Sequence, residues 1–348
     1  MEKFSIEIAS GQTITGRHCL PHVNQSTFGK DITPLLVCLH GGSYDSEYFD
    51  AAAEYSWSKL NSSFGIPIVA IDRPCYGGST ELPHQHELGD AESPTPTQRQ
   101  AEYINSRVLP HIWDKFGLQC GASSMVVLGH SVDAMVAVQI VAAYSTQKTS
   151  LYPLSGLIVS GIGCQSRHHQ GPGGPQSRGP QSKDQTSQEG DETKAQEPAQ
   201  STEKKKFMNM ERAQKDAKML DYTADKSPAD LLIDPAVLSL TERLNHPAPL
   251  AEVIDVAVLW RTYWHREAAK VNVPVLYALS EADPWFDSSD AAVAAFAAGL
   301  TGSPKVIQSR IAKAPHCTEL SLHGRGWMLQ CGGFALECAV TSKLNSKK

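Results

Sequence analysis

Apolar and polar residues alternate from Ser5 to about Leu20, which predicts two antiparallel strands joined at the turn-forming pair Ser10-Gly11. The pattern then changes to continuous apolar runs. PLLVCLH (34–40), GIPIVAID (65–72), SMVVLGH (124–130) and LSGLIVSGIG (154–163) each read as a strand buried on both faces. Between them, residues 45–62 look helical, and Tyr103, Ile104, Val108, Leu109 and Ile112 recur at helical spacing within a helix over 97–117. VDAMVAVQIVAAY follows the third run as a further helix. Strands alternating with helices predict a mostly parallel sheet covered on both faces. The alternation resumes with a strand at 271–280, a helix over 288–299, a strand near 303–311, a loop around His316 and a last helix from roughly 320 to 342.

The pattern is interrupted between these two halves. Residues 165–206 contain no Leu, Ile, Val, Phe, Tyr or Trp. Such a segment buries too little apolar surface to offset its ordering entropy, so it is expected to be disordered, with His168-His169 and Lys204-Lys205-Lys206 as solvated polar groups rather than a metal or partner site. Residues 207–270 are rich in helix formers with apolar spacing of three and four, which predicts several short helices. The expected organisation is a first core part at 1–164, the low-complexity insertion at 165–206, a helical region at 207–270 and a second core part at 271–348. No internal repeat is visible.

Composition narrows the functional classes. A chain of 348 residues, 41% of them hydrophobic, can bury a substantial core. A net charge of −6 offers no global basic surface, so nucleic acid is not an expected partner. The eight cysteines show neither C-x-x-C pairs nor Cys/His ligand spacing and read as thiols in a reducing compartment. The first sixteen residues lack the apolar stretch of a signal peptide, and the most apolar long segment, 124–143, is interrupted by Gly129, His130 and Asp133. A soluble cytoplasmic protein without a membrane span is the expectation; its oligomeric state is not encoded in any visible pattern.

Four stretches fall at the C-terminal ends of predicted strands, where open α/β sheets carry their sites. Gly41-Gly42 in HGGS allows a tight turn that presents an unobstructed N–H, that of Gly42 or of Ser43, or else simply ends a strand. Ser131 lies between a strand and a helix in GHSVDA, so a sharp turn would raise its hydroxyl above the sheet and place the Val132 N–H at a helix N-terminus. Asp283 in SEADPWFD follows a strand and suits the partner of an imidazole, with Glu281 and Asp287 as alternatives and a turn cap as the plainer role. His316 in KAPHCTELS is the best base among thirteen histidines, because it follows the last strand and completes the order Ser, Asp, His.

Together, LHGGSYDSEYFD, IDRPCYGGST, LGHSVDA, ALSEAD and APHCTELS resemble the α/β-hydrolase family, its fungal hydrolase-like members in particular. The similarity spans nearly the whole chain apart from 165–206. It implies an eight-stranded sheet with helices on both faces and a helical cap, 207–270, inserted after the sixth strand. It further implies a catalytic triad matching Ser131, Asp283 and His316 and an oxyanion hole matching Gly42 and Val132, with Asp72 and Arg73 in a mainly structural loop. The expected activity is cleavage of a small-molecule ester, lactone or thioester through an acyl-enzyme on Ser131, without metal or organic cofactor. A non-hydrolytic or C–C bond hydrolysing enzyme and an impaired ligand-binding protein are the alternatives. The second arises from Asp133, which stands where the elbow pattern G-x-S-x-G has its second glycine. An aspartate there gains about 0.3–1 kcal/mol at a helix N-terminus, but its bulk and charge would oppose catalysis, so Asp133→Gly is expected to raise or preserve turnover. Trp260, Tyr263 and Trp264 near the end of the helical region either line an apolar pocket or pack.

Overall fold

A computed structural model of the chain describes residues 1–9, 11–21, 32–90, 93–167 and 206–346. The low-complexity stretch from 168 to 205 thus lies outside the described residues, as does Ser10 of the first turn. The expected hairpin forms from β1 (Glu2–Ala9) and β2 (Gln12–Cys19). It is followed by β3 (Pro34–Leu39), α1 (Ser58–Phe64), β4 (Ile68–Ile71), α2 (Pro96–Tyr103), α3 (Leu109–Ile112), β5 (Ser124–His130), α4 (Val132–Thr146) and β6 (Leu154–Ser160). After β6 come a two-residue ladder, β7 (Phe207–Met208) with β8 (Ala248–Pro249), and the helices α5 (Arg212–Met219), α6 (Leu250–Ile254) and α7 (Trp260–Ala268). The chain ends with β9 (Val275–Ala282), α8 (Asp290–Gly299), β10 (Val306–Pro315) and α9 (Gly324–Asn345).

Eight strands form one sheet in the order β1-β2-β4-β3-β5-β6-β9-β10, antiparallel where β2 meets β1 and β4, and parallel from β4 onward. The apolar runs explain this arrangement. In β3, Leu35, Val37 and Leu39 enter one core while Leu36 and Cys38 enter the other, so both faces must be covered. α2, α4 and α8 cover the first face, α1 and α9 the second. Because β3, β5, β9 and β10 run in parallel, Gly41, Ser131, Asp283 and His316 emerge at the same edge of the sheet.

Two predicted helices are interrupted. The 45–62 segment forms single turns at Ser46–Phe49 and Ala53–Tyr55 before α1. There Asp50 accepts a hydrogen bond from Ser56 Oγ at 2.7 Å, and a side chain bonded in this way competes with helical pairing. The 97–117 run stays helical but widens to π turns at Ile104–Val108 and Trp113–Gly117 on either side of α3, whose Pro110 lacks the N–H that a regular helix requires. All eight cysteines are free thiols, five of them buried. Among the described residues no helix is long and apolar enough to cross a membrane.

Candidate active site

The turn from β5 into α4 leaves Ser131 at φ 57°, ψ −125°, a strained position for a residue with a Cβ. Close approach of strand and helix causes it. A Cβ on Gly129 would lie 2.2 Å from the carbonyl oxygen of Asp133 and 2.7 Å from the Ala137 Cβ. Only glycine fits at 129. Ser131 N–H donates to Ser160 O at 2.8 Å, which ties the elbow to β6.

His316 and Asp283 meet this serine. Ser131 Oγ lies 2.8 Å from His316 Nε2, and His316 Nδ1 lies 2.6 Å from Asp283 Oδ2. The other Asp283 oxygen accepts the N–H groups of Trp285 and Phe286, both at 2.9 Å. A carboxylate can only accept at this contact, so Nδ1 carries the imidazole proton and the Nε2 lone pair faces the serine hydroxyl. Of the alternative partners, Glu281 is instead engaged by Arg310 at 2.6 Å and the Lys313 N–H at 2.7 Å, and Asp287 caps the Ser289 N–H at 2.9 Å.

Gly42 sits against Val132: a Cβ on Gly42 would be 3.3 Å from the Val132 Cγ2. Among the described residues neither N–H has a hydrogen-bond acceptor. His40 Nδ1 donates to Gly41 O at 2.6 Å. In a trans peptide the carbonyl and the next N–H point oppositely, so this bond also fixes the direction of the Gly42 N–H.

Behind His316 lies a buried polar chain that the sequence pattern did not disclose. Glu319 accepts from Tyr48 Oη at 2.7 Å and from Ser160 Oγ and Trp327 Nε1 at 3.0 Å. His130, stacked on Tyr48, donates through Nδ1 to Ser160 Oγ at 3.0 Å. Burial pushes the His130 pKa down to about 4, so its 3.5 Å approach to Glu319 is not an ion pair at neutral pH. Burial likewise pushes the Cys317 thiol up to about 12, which leaves it protonated at neutral pH.

Asp133 is fully buried and does not stand alone. Its Oδ1 lies 2.6 Å from Arg73 Nη2, and the same guanidinium reaches Glu252 Oε2 of α6 at 3.0 Å. The Asp133 contact is one of charge, because neither carboxylate oxygen makes an aligned hydrogen bond. Glu252 is better satisfied: Tyr76 Oη and Gln85 Nε2 donate to it at 3.0 Å, and Gln100 bridges it to Arg73. The charge expected to oppose chemistry at Ser131 is therefore countered by Arg73, and the structural loop holding Arg73 joins the elbow to the 207–270 helices. Arg73 at a buried strand end was a visible signal; its partner 179 residues away was not.

Trp260, Tyr263 and Trp264 prove to be packing residues. Trp260 is wholly buried and donates to Gly163 O at 3.1 Å, Tyr263 donates to Asp255 at 2.8 Å, and Trp264 stacks on Phe296. Among the described residues one group of metal-ligand donors comes within 4.8 Å, Cys75 with Glu81 and His86, but burial pushes the Cys75 thiol up to about 12.

Comparison with known proteins agrees with the fold. The α/β-hydrolase family model matches residues 36–324, and the chain belongs to that family, which places it among hydrolases. No curated protein matches the sequence. Among solved structures, a soluble variant of monoglyceride lipase from Saccharomyces cerevisiae is 12% identical, with 96% of this chain and 94% of that one covered at a TM-score of 0.55. A thermophilic esterase from Thermogutta terrifontis is 13% identical, with 97% and 100% covered at 0.54. The enol-lactonase from Burkholderia xenovorans LB400 is 12% identical, with 94% and 98% covered at 0.52. At these identities the likeness is one of fold.

Proposed function

We propose that the protein is a serine hydrolase that cleaves a carboxylic ester, lactone or thioester, with residues 207–270 as a cap over the site. The observation that carries this reading is the hydrogen-bonded chain from Ser131 Oγ through His316 to Asp283, at 2.8 and 2.6 Å. Ser131 Oγ attacks the substrate carbonyl while His316 Nε2 takes its proton, and Asp283 stabilises the imidazolium and holds its orientation. The N–H groups of Gly42 and Val132 receive the oxyanion. Collapse of the tetrahedral intermediate transfers the proton to the leaving alcohol or thiol and leaves an acyl-Ser131. Water, deprotonated by His316, then releases the acid and regenerates the serine. These side chains, two backbone donors and water suffice for every step.

The test is reaction with a fluorophosphonate probe and turnover of p-nitrophenyl esters. Covalent labelling at Ser131 and a loss of about 10⁴-fold or more in kcat for Ser131→Ala are expected. An unlabelled Ser131, or esterase activity that persists in Ser131→Ala, would refute the proposal. A panel of esters, lactones and thioesters then defines the acyl group.

A further inference from the structure

We propose that Lys215, on α5, is a positioning residue for the oxyanion turn: its ammonium grips the Ser43 carbonyl and so fixes the Gly41–Ser43 loop that presents the Gly42 N–H. The inference rests on the serine-hydrolase reading and adds a dependence of catalysis on the 207–270 helices. Lys215 is only 2% exposed. Its Nζ donates to Ser43 O at 2.5 Å and to Leu244 O at 2.8 Å and lies 3.6 Å above the centre of the Tyr44 ring. In the turn it holds, Gly41 at φ 95° is in a region that glycine adopts freely, whereas Ser43 at φ 62° is strained. His40 restrains one end of that turn through Gly41 O. At the other end, Ser43 O accepts from Lys215 and from the His246 N–H at 3.1 Å, both from the 207–270 region.

The same helix also reaches the histidine loop. Met219 O, at the end of α5, accepts the Cys317 N–H at 2.8 Å, and Cys317 Sγ lies 3.4 Å from Tyr44 Oη. One short helix thus touches both the residue after the oxyanion glycine and the residue after His316. Burying an ammonium without a carboxylate partner is costly, and packing alone would be served better by an apolar side chain. Among the described residues no carboxylate pairs with Lys215. Asp216 lies near Arg212 at 3.5 Å and accepts from Thr241, and Asp45 faces His246 at 3.2 Å and caps the Glu47 N–H.

The charged and titratable groups facing Lys215 are Asp45, Asp216, Cys317, Tyr44 and His246. Burial outweighs the attraction of Asp216 and Asp45 and pushes the Lys215 pKa down to about 7. As pH rises through that value the ammonium becomes an amine, whose hydrogen bonds to carbonyls are weaker. Turnover should therefore fall on the alkaline side through loss of the grip on Ser43.

The experiment compares wild type, Lys215→Met and Lys215→Arg as full-length chains. It measures kcat and KM for p-nitrophenyl acetate from pH 5.5 to 9.5, together with the rate of fluorophosphonate labelling at Ser131. Lys215→Met is expected to lower kcat between about tenfold and a hundredfold with KM within about twofold, and to abolish the alkaline fall. Lys215→Arg stays charged at every pH used, so it should recover part of kcat and show no fall centred near pH 7. A folded Lys215→Met with wild-type kcat and pH profile would overturn the inference. If that variant does not fold, Lys215→Arg decides, and an unchanged alkaline fall in it refutes the role. Absence of labelling in wild type defeats the serine-hydrolase reading itself and is distinct from either result.

Discussion

Asp133 shows how one residue acquires a different meaning once its surroundings are known. Judged by its neighbours in sequence, it is a misplaced charge two residues after Ser131, the proposed nucleophile. In the folded chain its carboxylate faces Arg73 at 2.6 Å, and Arg73 retains Glu252 when Asp133 is removed. Breaking a buried pair is most damaging when a charge is left alone, and here it is not. Asp133→Gly should therefore lower stability by less than the roughly 3–5 kcal/mol that follows when a buried charge is stranded, and leave labelling of Ser131 close to wild type. Urea unfolding and probe kinetics on the same preparation check both halves. A labelling rate that collapses in Asp133→Gly would mean that the carboxylate shapes the elbow, contrary to the notion of a handicap.

At the scale of elements, the critical small residue is Gly129, on the strand side of the elbow, rather than residue 133. Its added Cβ would strike the Asp133 carbonyl at 2.2 Å, backbone that yields only if α4 moves away from β5. Gly129→Ala is expected to cost about 1–3 kcal/mol in stability, the usual penalty of overpacking. The displaced serine should lose on the order of a hundredfold in kcat, the consequence of misplacement by about 1 Å. Gly326→Ala, where nothing lies within 4 Å, is the control and should stabilise α9 by about 0.5–1 kcal/mol. Equal effects of the two substitutions on turnover would contradict the close-approach argument. The sheet itself was legible in the sequence because each central strand is an unbroken apolar run between turn residues; β5 falls at Ser124–His130, the span read from the pattern. Helices were less legible where side chains compete with the backbone, as Asp50 and Ser56 do, or where Pro110 interrupts pairing. The residues at strand ends could be found by position, whereas Arg73 with Glu252, His130 with Glu319 and Lys215 with Ser43 join distant segments, and no local pattern encodes such convergence.

For the whole molecule, buried titratable groups set opposite limits on stability. Burial holds the folded-state pKa of His130 near 4 against an ordinary 6.5, so below pH 6.5 the unfolded chain takes up a proton that the folded chain refuses. Stability is lost as pH falls from 6.5 to 4, by about 3 kcal/mol in total. Lys215 has the same sign at higher pH. Between about 7 and 10.5 only the unfolded chain carries its proton, so this residue raises stability by about 1.4 kcal/mol for each pH unit. The thiols act in the opposite direction. Burial raises Cys38, Cys317 and Cys331 above the ordinary 9.0, and above that pH the unfolded chain alone releases their protons. These thiols oppose Lys215 above pH 9 and, being more numerous, outweigh it. Stability should therefore peak roughly between pH 8 and 9, whereas on the proposed role of Lys215 turnover should peak at lower pH. Urea midpoints at pH 5, 6.5, 8.5 and 10 measure the first optimum and ester turnover the second. His130→Asn should flatten the acid slope, and Lys215→Met should remove the rise between pH 7 and 9 while bringing the two optima together. Optima that coincide in wild type, or a stability maximum below pH 6, would show that these buried groups do not govern the profile.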